Sequence, residues 1–183
     1  EGVVSNASPT NNAVTFDDTH IYKTDAEAIA AGYSADHLIH NESELQNIIN
    51  TQTQHYEHPW DPSMSFDYLE GKYCLMGDID FSKISGWGNT ALGAFDEDMW
   101  STVATGDFNG NGYTISNLTI NDSVNSDMHG LFYQVVGSVE NLNIENVNIV
   151  SNNRYIGALA GKMYNSSSTI TNCSSSGSVS GNG

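Results

Sequence analysis

Beyond Gly71, apolar and polar residues alternate in short bursts separated by turn-forming residues. Tyr113-Thr114-Ile115-Ser116-Asn117-Leu118-Thr119-Ile120 puts successive side chains on opposite sides, the pattern of a strand with one buried face. Ser138-Val139-Glu140-Asn141-Leu142-Asn143-Ile144 repeats it. Ser168-Thr169-Ile170-Thr171-Asn172-Cys173-Ser174 repeats it again, with Cys173 in the place of Leu118 and Leu142. In this alignment Asn117, Asn141 and Asn172 share one position, recurring at two unequal intervals. Gly130-Leu131-Phe132 and Gly157-Ala158-Leu159-Ala160-Gly161 form a second recurring pair that falls between the bursts. An earlier burst, Lys72-Tyr73-Cys74-Leu75-Met76, leads into a turn at Gly77-Asp78-Ile79-Asp80-Phe81.

Repeats of roughly 20 to 50 residues mark solenoids, whose units bury their apolar faces only by stacking on neighbours. Short strands without intervening helices predict a mostly β fold, a right-handed parallel β-helix. Inward Ile, Leu and Val then form columns, and asparagines at equivalent turns can bond to one another as a ladder. A solenoid exposes unpaired edges at its ends, so a cap is expected. The segment before Gly71 suits that role. Thr24 with Glu27 forms a capping box, predicting a short helix over Asp25 to Ala31 stopped by Gly32. Asn41 with Glu44 forms a second, and Leu45, Ile48 and Ile49 give an amphipathic helix to about Thr53. Leu38-Ile39 reads as a short strand between them, and His55 to Tyr68, aromatic and proline-bearing, as an ordered loop. The predicted organisation is a flexible linker over 1–20, an α-containing acidic cap over 21–70 and β-helix repeats over 71–183, with a further coil expected beyond Gly183.

Composition sharpens this division. The chain has 183 residues, 22 acidic and 5 Lys or Arg, for a formal net charge of −17. Residues 1–100 hold 17 acidic and 3 basic side chains, residues 101–183 only 5 and 2, while the second part holds 14 of the 21 asparagines. An acidic cap thus precedes a nearly neutral, asparagine-rich repeat region, in which Asn, Ser and Gly serve turns rather than disorder. Such acidity excludes nucleic acid as a partner, because that affinity rests on Lys and Arg displacing counterions. No apolar run approaches the roughly 18 to 20 residues that span a bilayer, so membrane insertion by this fragment is not expected.

Phe108-Asn109-Gly110-Asn111-Gly112-Tyr113-Thr114-Ile115-Ser116-Asn117-Leu118-Thr119-Ile120, then Gly130-Leu131-Phe132, then Gly157-Ala158-Leu159-Ala160-Gly161, resembles the GLUG-motif repeats of bacterial cell-surface proteins. Such repeats occur in filamentous-haemagglutinin-like adhesins and beside IgA-cleaving metallopeptidase domains. Glu44-Leu45-Gln46-Asn47-Ile48, Tyr73 to Asp80 and Trp87 look like the approach that precedes them, so the resemblance runs from about Ser43 to Gly183. Asn109 stands where the family's turn has Asp, Tyr133 replaces the final glycine of the first motif, and Ala158 and Ala160 occupy the second. The motif is structural and implies no catalytic residues.

Chemistry-bearing residues are few in any recognisable pattern. Asp107-Phe108-Asn109-Gly110-Asn111-Gly112 matches the first half of a calcium loop, but its twelfth position is Leu118 instead of the bidentate Glu. A glycine-enabled turn is the competing reading. Asp78 and Asp80 flank Ile79 as a possible ion-binding or acid pair, and Asp96-Glu97-Asp98 as an acidic loop; solvent-facing carboxylates are the plainer reading of both. His37 with His40, and His55 with His58, are spaced i, i+3 without accompanying zinc ligands, which favours structural or surface roles. Cys74 and Cys173, at apolar strand positions, read as buried free thiols. The Asn-x-Ser/Thr triplets at Asn6, Asn41, Asn117, Asn121, Asn165 and Asn172 follow from the composition. Glycoside chemistry needs two carboxylates within roughly 5 to 10 Å. The repeat region offers only Asp107, Asp122, Asp127, Glu140 and Glu145, with Arg154 and Lys162 as its bases, while Asp17-Asp18 precedes it and His129 follows Met128 rather than a glycine.

These features predict a noncatalytic module of a secreted bacterial surface protein, without cofactor, that mediates adhesion or presents a binding surface to a host or neighbouring-cell protein or glycan. The alternatives are a structural spacer for a downstream catalytic domain and a β-helix polysaccharide-active enzyme. Tyr56, Trp60, Phe66 and Tyr68 form the candidate binding loop, with plugging of the coil's open end as the preferred alternative role.

Overall fold

In the computed structural model the described residues are 22–51, 53–57, 65–69, 71–84, 107–122, 128–152, 154–163 and 166–181. The expected linker over 1–20, Trp60, Trp87 and the acidic loop at Asp96-Glu97-Asp98 lie outside them. The fold is mostly β, with few helices.

Helix α1 (Asp25–Ala30) starts as its sequence requires: Thr24 Oγ1 accepts from the Glu27 amide, and Glu27 Oε2 accepts from the Thr24 amide. It stops at Gly32, whose φ of +100° lets the Gly32 and Tyr33 amides donate back to Ile29 and Ala28. Strand β1 (Leu38–Ile39) follows, then α2 (Glu42–Thr51), where Asn41 Oδ1 accepts from the Glu44 amide. Helix α2 ends before Thr53 because β2 (Thr53–Glu57) begins there and pairs antiparallel with β3 (Ser65–Leu69). The stretch expected as a loop from His55 to Tyr68 is therefore in part a strand pair, with Tyr56 opposite Phe66.

The remaining strands are short and stack in parallel. They are β4 (Lys72–Leu75), β5 (Ile79–Asp80), β6 (Asp107–Asn109), β7 (Thr114–Ser116) and β8 (Thr119–Asp122). After these come β9 (Met128–His129), β10 (Phe132–Val135), β11 (Ser138–Glu140) and β12 (Asn143–Ser151). The last four are β13 (Tyr155–Ile156), β14 (Ala160–Met163), β15 (Thr169–Thr171) and β16 (Ser174–Gly181). One sheet runs β1-β4-β6-β11-β15. A second runs β5-β7-β12-β16, with β8 also on β12, and β9-β13 and β10-β14 form two-stranded sheets.

The register corrects the alignment made from sequence. Asn141 and Asn172 are equivalent, since β11 pairs with β15 at Glu140↔Thr171. Asn117 is not: β8 pairs with β12 at Thr119↔Asn148, which sets Asn117 beside Asn146 and Leu118 beside Val147. The β11–β12 and β15–β16 layers each turn two corners on a left-handed residue. One corner holds Asn141 (φ +53°) and Asn172 (φ +51°), the other Asn117 (φ +60°), Asn146 (φ +55°) and Gly177 (φ +132°). At Asn117, Asn141, Asn146 and Asn172 the left-handed residue is followed by a side chain turned inward, so the two corners resemble each other in sequence while belonging to different columns. Matching Asn117 with Asn141 joined one corner to the other; successive layers instead relate Asn117 to Asn146 and Asn141 to Asn172.

Inward side chains form the expected columns. Tyr73, Phe108 and Val139 face one another down the first sheet at 4%, 4% and 0% exposure, ending on Ile170 at 43%. Ile79, Ile115 and Ile144 form a second column, Ile120, Ile149 and Val179 a third. A smaller cluster of Ala28, Tyr33, Leu38 and Cys74 joins α1 to β1 and β4. The glycines of the GLUG-like motifs sit where backbones press together: a Cβ on Gly130 would lie 2.7 Å from the Gly157 carbonyl oxygen and 2.9 Å from the Ala160 Cα.

Candidate functional site

The corner at Asn117 and Asn146 carries a connected polar network. It starts at Asp80, where β5 ends and a 3-10 turn over Phe81–Lys83 begins. Asp80 Oδ1 accepts from the Ser82 amide at 3.0 Å, the Ser82 hydroxyl at 2.7 Å and Asn117 Nδ2 at 2.8 Å. Asn117 Oδ1 in turn accepts from Asn146 Nδ2 at 2.6 Å. The Asn117 amide is the foremost reason the Asp80 carboxyl falls to a pKa of about 2, with Ser82 next and Lys83 last. Lys83 reaches Asp80 Oδ2 at 3.5 Å and Glu42 Oε1 at 3.2 Å, and that Glu42 oxygen also accepts from the Asp80 amide. The lysine is thus neutralised by two acids, and Glu42 holds α2 against β5.

Between the 3-10 turn and the stacked Asn117 and Asn146 lies an open groove of about 610 Å³. Phe81 and Ile84, both buried, contribute its apolar lining. Ser82, Asn117, Thr119, Asn146 and Asn148 supply hydroxyls and amides, and none of the described lining residues is charged. Thr119 and Asn148 stand opposite each other in the β8–β12 register, both exposed.

A second ladder lies on the other corner. Asn172 Nδ2 donates to Asn141 Oδ1 at 2.8 Å, and Asn141 Nδ2 to Asn109 Oδ1 at 3.2 Å. It ends in the turn that resembled half a calcium loop, and the oxygens there are occupied from within the protein. Asn109 Oδ1 also takes the Asn111 amide, Asn111 Oδ1 takes the Tyr22 amide, and Asp107 Oδ1 takes the Ser138 hydroxyl. Asn109 Nδ2 donates to Glu140 and to the Tyr33 hydroxyl, whose pKa burial pushes up to about 12. Asp78 Oδ1 accepts from the Thr114 amide, so the Asp78 and Asp80 pair serves the next strand and the corner. Among the described residues no group of three or more His, Cys, Asp or Glu is placed to hold a metal.

The remaining sequence candidates disperse. His37 stacks on Tyr73 with ring centroids 4.4 Å apart, whereas His40 lies between Asp25 and Glu44, so the two do not share a site. The backbones of His55, Tyr56, Phe66 and Tyr68 are in β2 and β3, while His58, Asp17, Asp18 and Asp127 lie outside the described residues. Cys74 is buried and Cys173 half-buried, and both are free thiols. Burial, with the Glu140 charge adding, raises the Cys74 thiol to about 12. The groove escaped the sequence reading because it joins side chains far apart along the chain; its only local trace was Asn-x-Thr at Asn117.

The fold defines a mostly β protein of stacked parallel strands with asparagine corners. Over 115 residues, 61% of this chain, it is 36% identical to halomucin of Haloquadratum walsbyi. That stretch is 1% of halomucin's length, so the chain spans about a hundredth of the relative it matches. No family pattern matches the chain, and no solved structure matches it. Among the described residues no helix is long and apolar enough to cross a membrane.

Proposed function

We propose that this chain is a noncatalytic module of a secreted, cell-surface protein: a right-handed parallel β-helix, capped by the segment before Gly71, that presents its side to a protein or glycan on another cell. The observation that carries this reading is the similarity to halomucin, a protein named as a mucin. The parallel strands with columns of Ile and asparagine ladders support the β-helix, as does the resemblance of Gly130 to Phe132 and Gly157 to Gly161 to GLUG repeats. Among the described residues Glu42, Glu44, Asp78, Asp80 and Asp107 accept structural hydrogen bonds, which favours binding over catalysis. The purified chain should adhere to intact cells or to immobilised proteins or glycans in a binding array. Polysaccharide cleavage by the chain would overturn the noncatalytic reading.

A spacer is the second reading, favoured by one observation: the matched stretch is a very small part of a very long relative. Absence of binding on cells and arrays, with the fold intact, would select it.

A further inference from the structure

We propose that the groove at the Asn117–Asn146 corner binds a neutral glycan chain lying across successive layers. This rests on the reading of the chain as a binding module and names the ligand class and the place. Thr119 and Asn148 occupy the same position in adjacent layers, one strand spacing of about 4.8 Å apart. That spacing is of the order of one pyranose ring, so consecutive sugars meet a hydroxyl and then an amide. Both side chains are exposed, and among the described residues neither is tied to another part of the protein. An amide offers a donor and an acceptor side by side, which suits vicinal sugar hydroxyls.

Charge selects against other ligands. The described lining residues carry no charge, the nearby Lys83 is already held by Glu42 and Asp80, and the chain carries −17 overall. Uronates and sulfated glycans are repelled and find no free cation among the described lining residues. A basic peptide finds no free carboxylate among the described lining residues, and an apolar one finds little surface, because Phe81 and Ile84 are 4% and 7% exposed.

The test titrates the full chain with neutral oligosaccharides (dextran, mannan and cello-oligosaccharide series) and with oligogalacturonate, reading backbone amide shifts and calorimetric affinity. A neutral series should shift the amides of Thr119 and Asn148, and oligogalacturonate should not. Asn148→Leu and Thr119→Val, both at exposed positions, should each weaken binding by about tenfold with circular dichroism unchanged. Binding that leaves those amides unmoved, equal affinity for the acidic series, or unaltered affinity in both variants overturns the proposal. If cells are still bound while no neutral glycan engages the groove, this inference fails and the binding-module reading survives. If neither cells nor glycans are bound, both fail.

Discussion

His40 joins Asp25 to Glu44: its Nε2 lies 2.8 Å from Asp25 Oδ1 and its Nδ1 2.8 Å from Glu44 Oε2. Both ring nitrogens face carboxylates, an arrangement satisfied in full only by the doubly protonated ring. The Glu44 carboxylate also accepts from the His40 amide, and the turn at Gly77 packs against the His40 carbonyl, with the neighbouring Asp78 turned to Thr114. One imidazole thus ties α1 to the start of α2.

That bridge sets a pH dependence. The Asp25 hydrogen bond is the largest influence on His40 and raises its pKa above 6.5; burial opposes it and Glu44 adds to it. A raised folded pKa contributes stability that is complete below the unfolded value and fades as pH climbs through the folded one. Thermal unfolding should therefore show a falling midpoint from about pH 6.5 upward. Because His40 is partly exposed, the loss is about 1 kcal/mol or less. His40→Gln should flatten that limb. On the acid side, the carboxyls of Glu42 and Asp80 have lowered pKa values, so their contribution disappears as pH falls through the folded values, about 2 for Asp80. The midpoint should be highest between these limits.

Asn141 tests the corner. Its φ is +53° and its buried amide is the middle rung between Asn109 and Asn172. Asn141→Ala removes the rung and places an ordinary side chain in the left-handed region, at a cost of about 2 to 4 kcal/mol. Asn141→Gly keeps the backbone comfortable and loses only the rung, about 1 to 2 kcal/mol. Denaturant unfolding of the pair separates the two contributions, and equal losses would refute the backbone argument.

The columns predict unequal costs for similar truncations. Ile149 is fully buried and Val179, its neighbour in the next layer, is 44% exposed. Ile149→Ala should cost about 2 to 4 kcal/mol and Val179→Ala under about 1 kcal/mol, measured by the same unfolding curves.

Gly130→Ala should destabilise by about 1 to 3 kcal/mol, because the added carbon meets the Gly157 carbonyl and the Ala160 backbone rather than a movable side-chain tip. Unchanged stability would show that the layers separate easily there.

The thiols should differ in access. Cys74 is fully buried at the junction of α1, β1 and β4, whereas Cys173 is half-buried on the last layer. A thiol-labelling time course should modify Cys173 slowly in the native protein and Cys74 only after unfolding.

Local signals were legible in the sequence and long-range equivalence was not. Thr24 with Glu27, and Gly32, marked α1 because caps act over short stretches of chain. Leu38-Ile39 was readable as a strand, but its place beside Cys74 and Leu75 depends on the whole sheet. The alternation from Tyr113 to Ile120 identified inward residues correctly yet concealed the break at Asn117 that divides β7 from β8. Asn117 and Asn141 look alike because each is a left-handed corner followed by a buried leucine; only pairing tells them apart. Proline and aromatic residues made His55 to Tyr68 read as a loop, although the β2–β3 pairing satisfies much of its backbone. The polar groove brings Phe81 and Asn146, from different layers, into one lining, which no local pattern encodes.

The two asparagine ladders share a polarity. Asn172 donates to Asn141 and Asn141 to Asn109; Asn146 donates to Asn117 and Asn117 to Asp80, so each of these four amide nitrogens points toward the earlier layer. Each ladder is a one-way relay that begins on an acceptor; the one through Asn146 stops where Gly177 follows it, and the one through Asn172 leaves an acceptor on its last described rung. Growth from the Asn172 face therefore calls for a donor. Two copies meeting face to face would set carbonyl against carbonyl, so the stack carries its own grammar for the direction in which it can be extended.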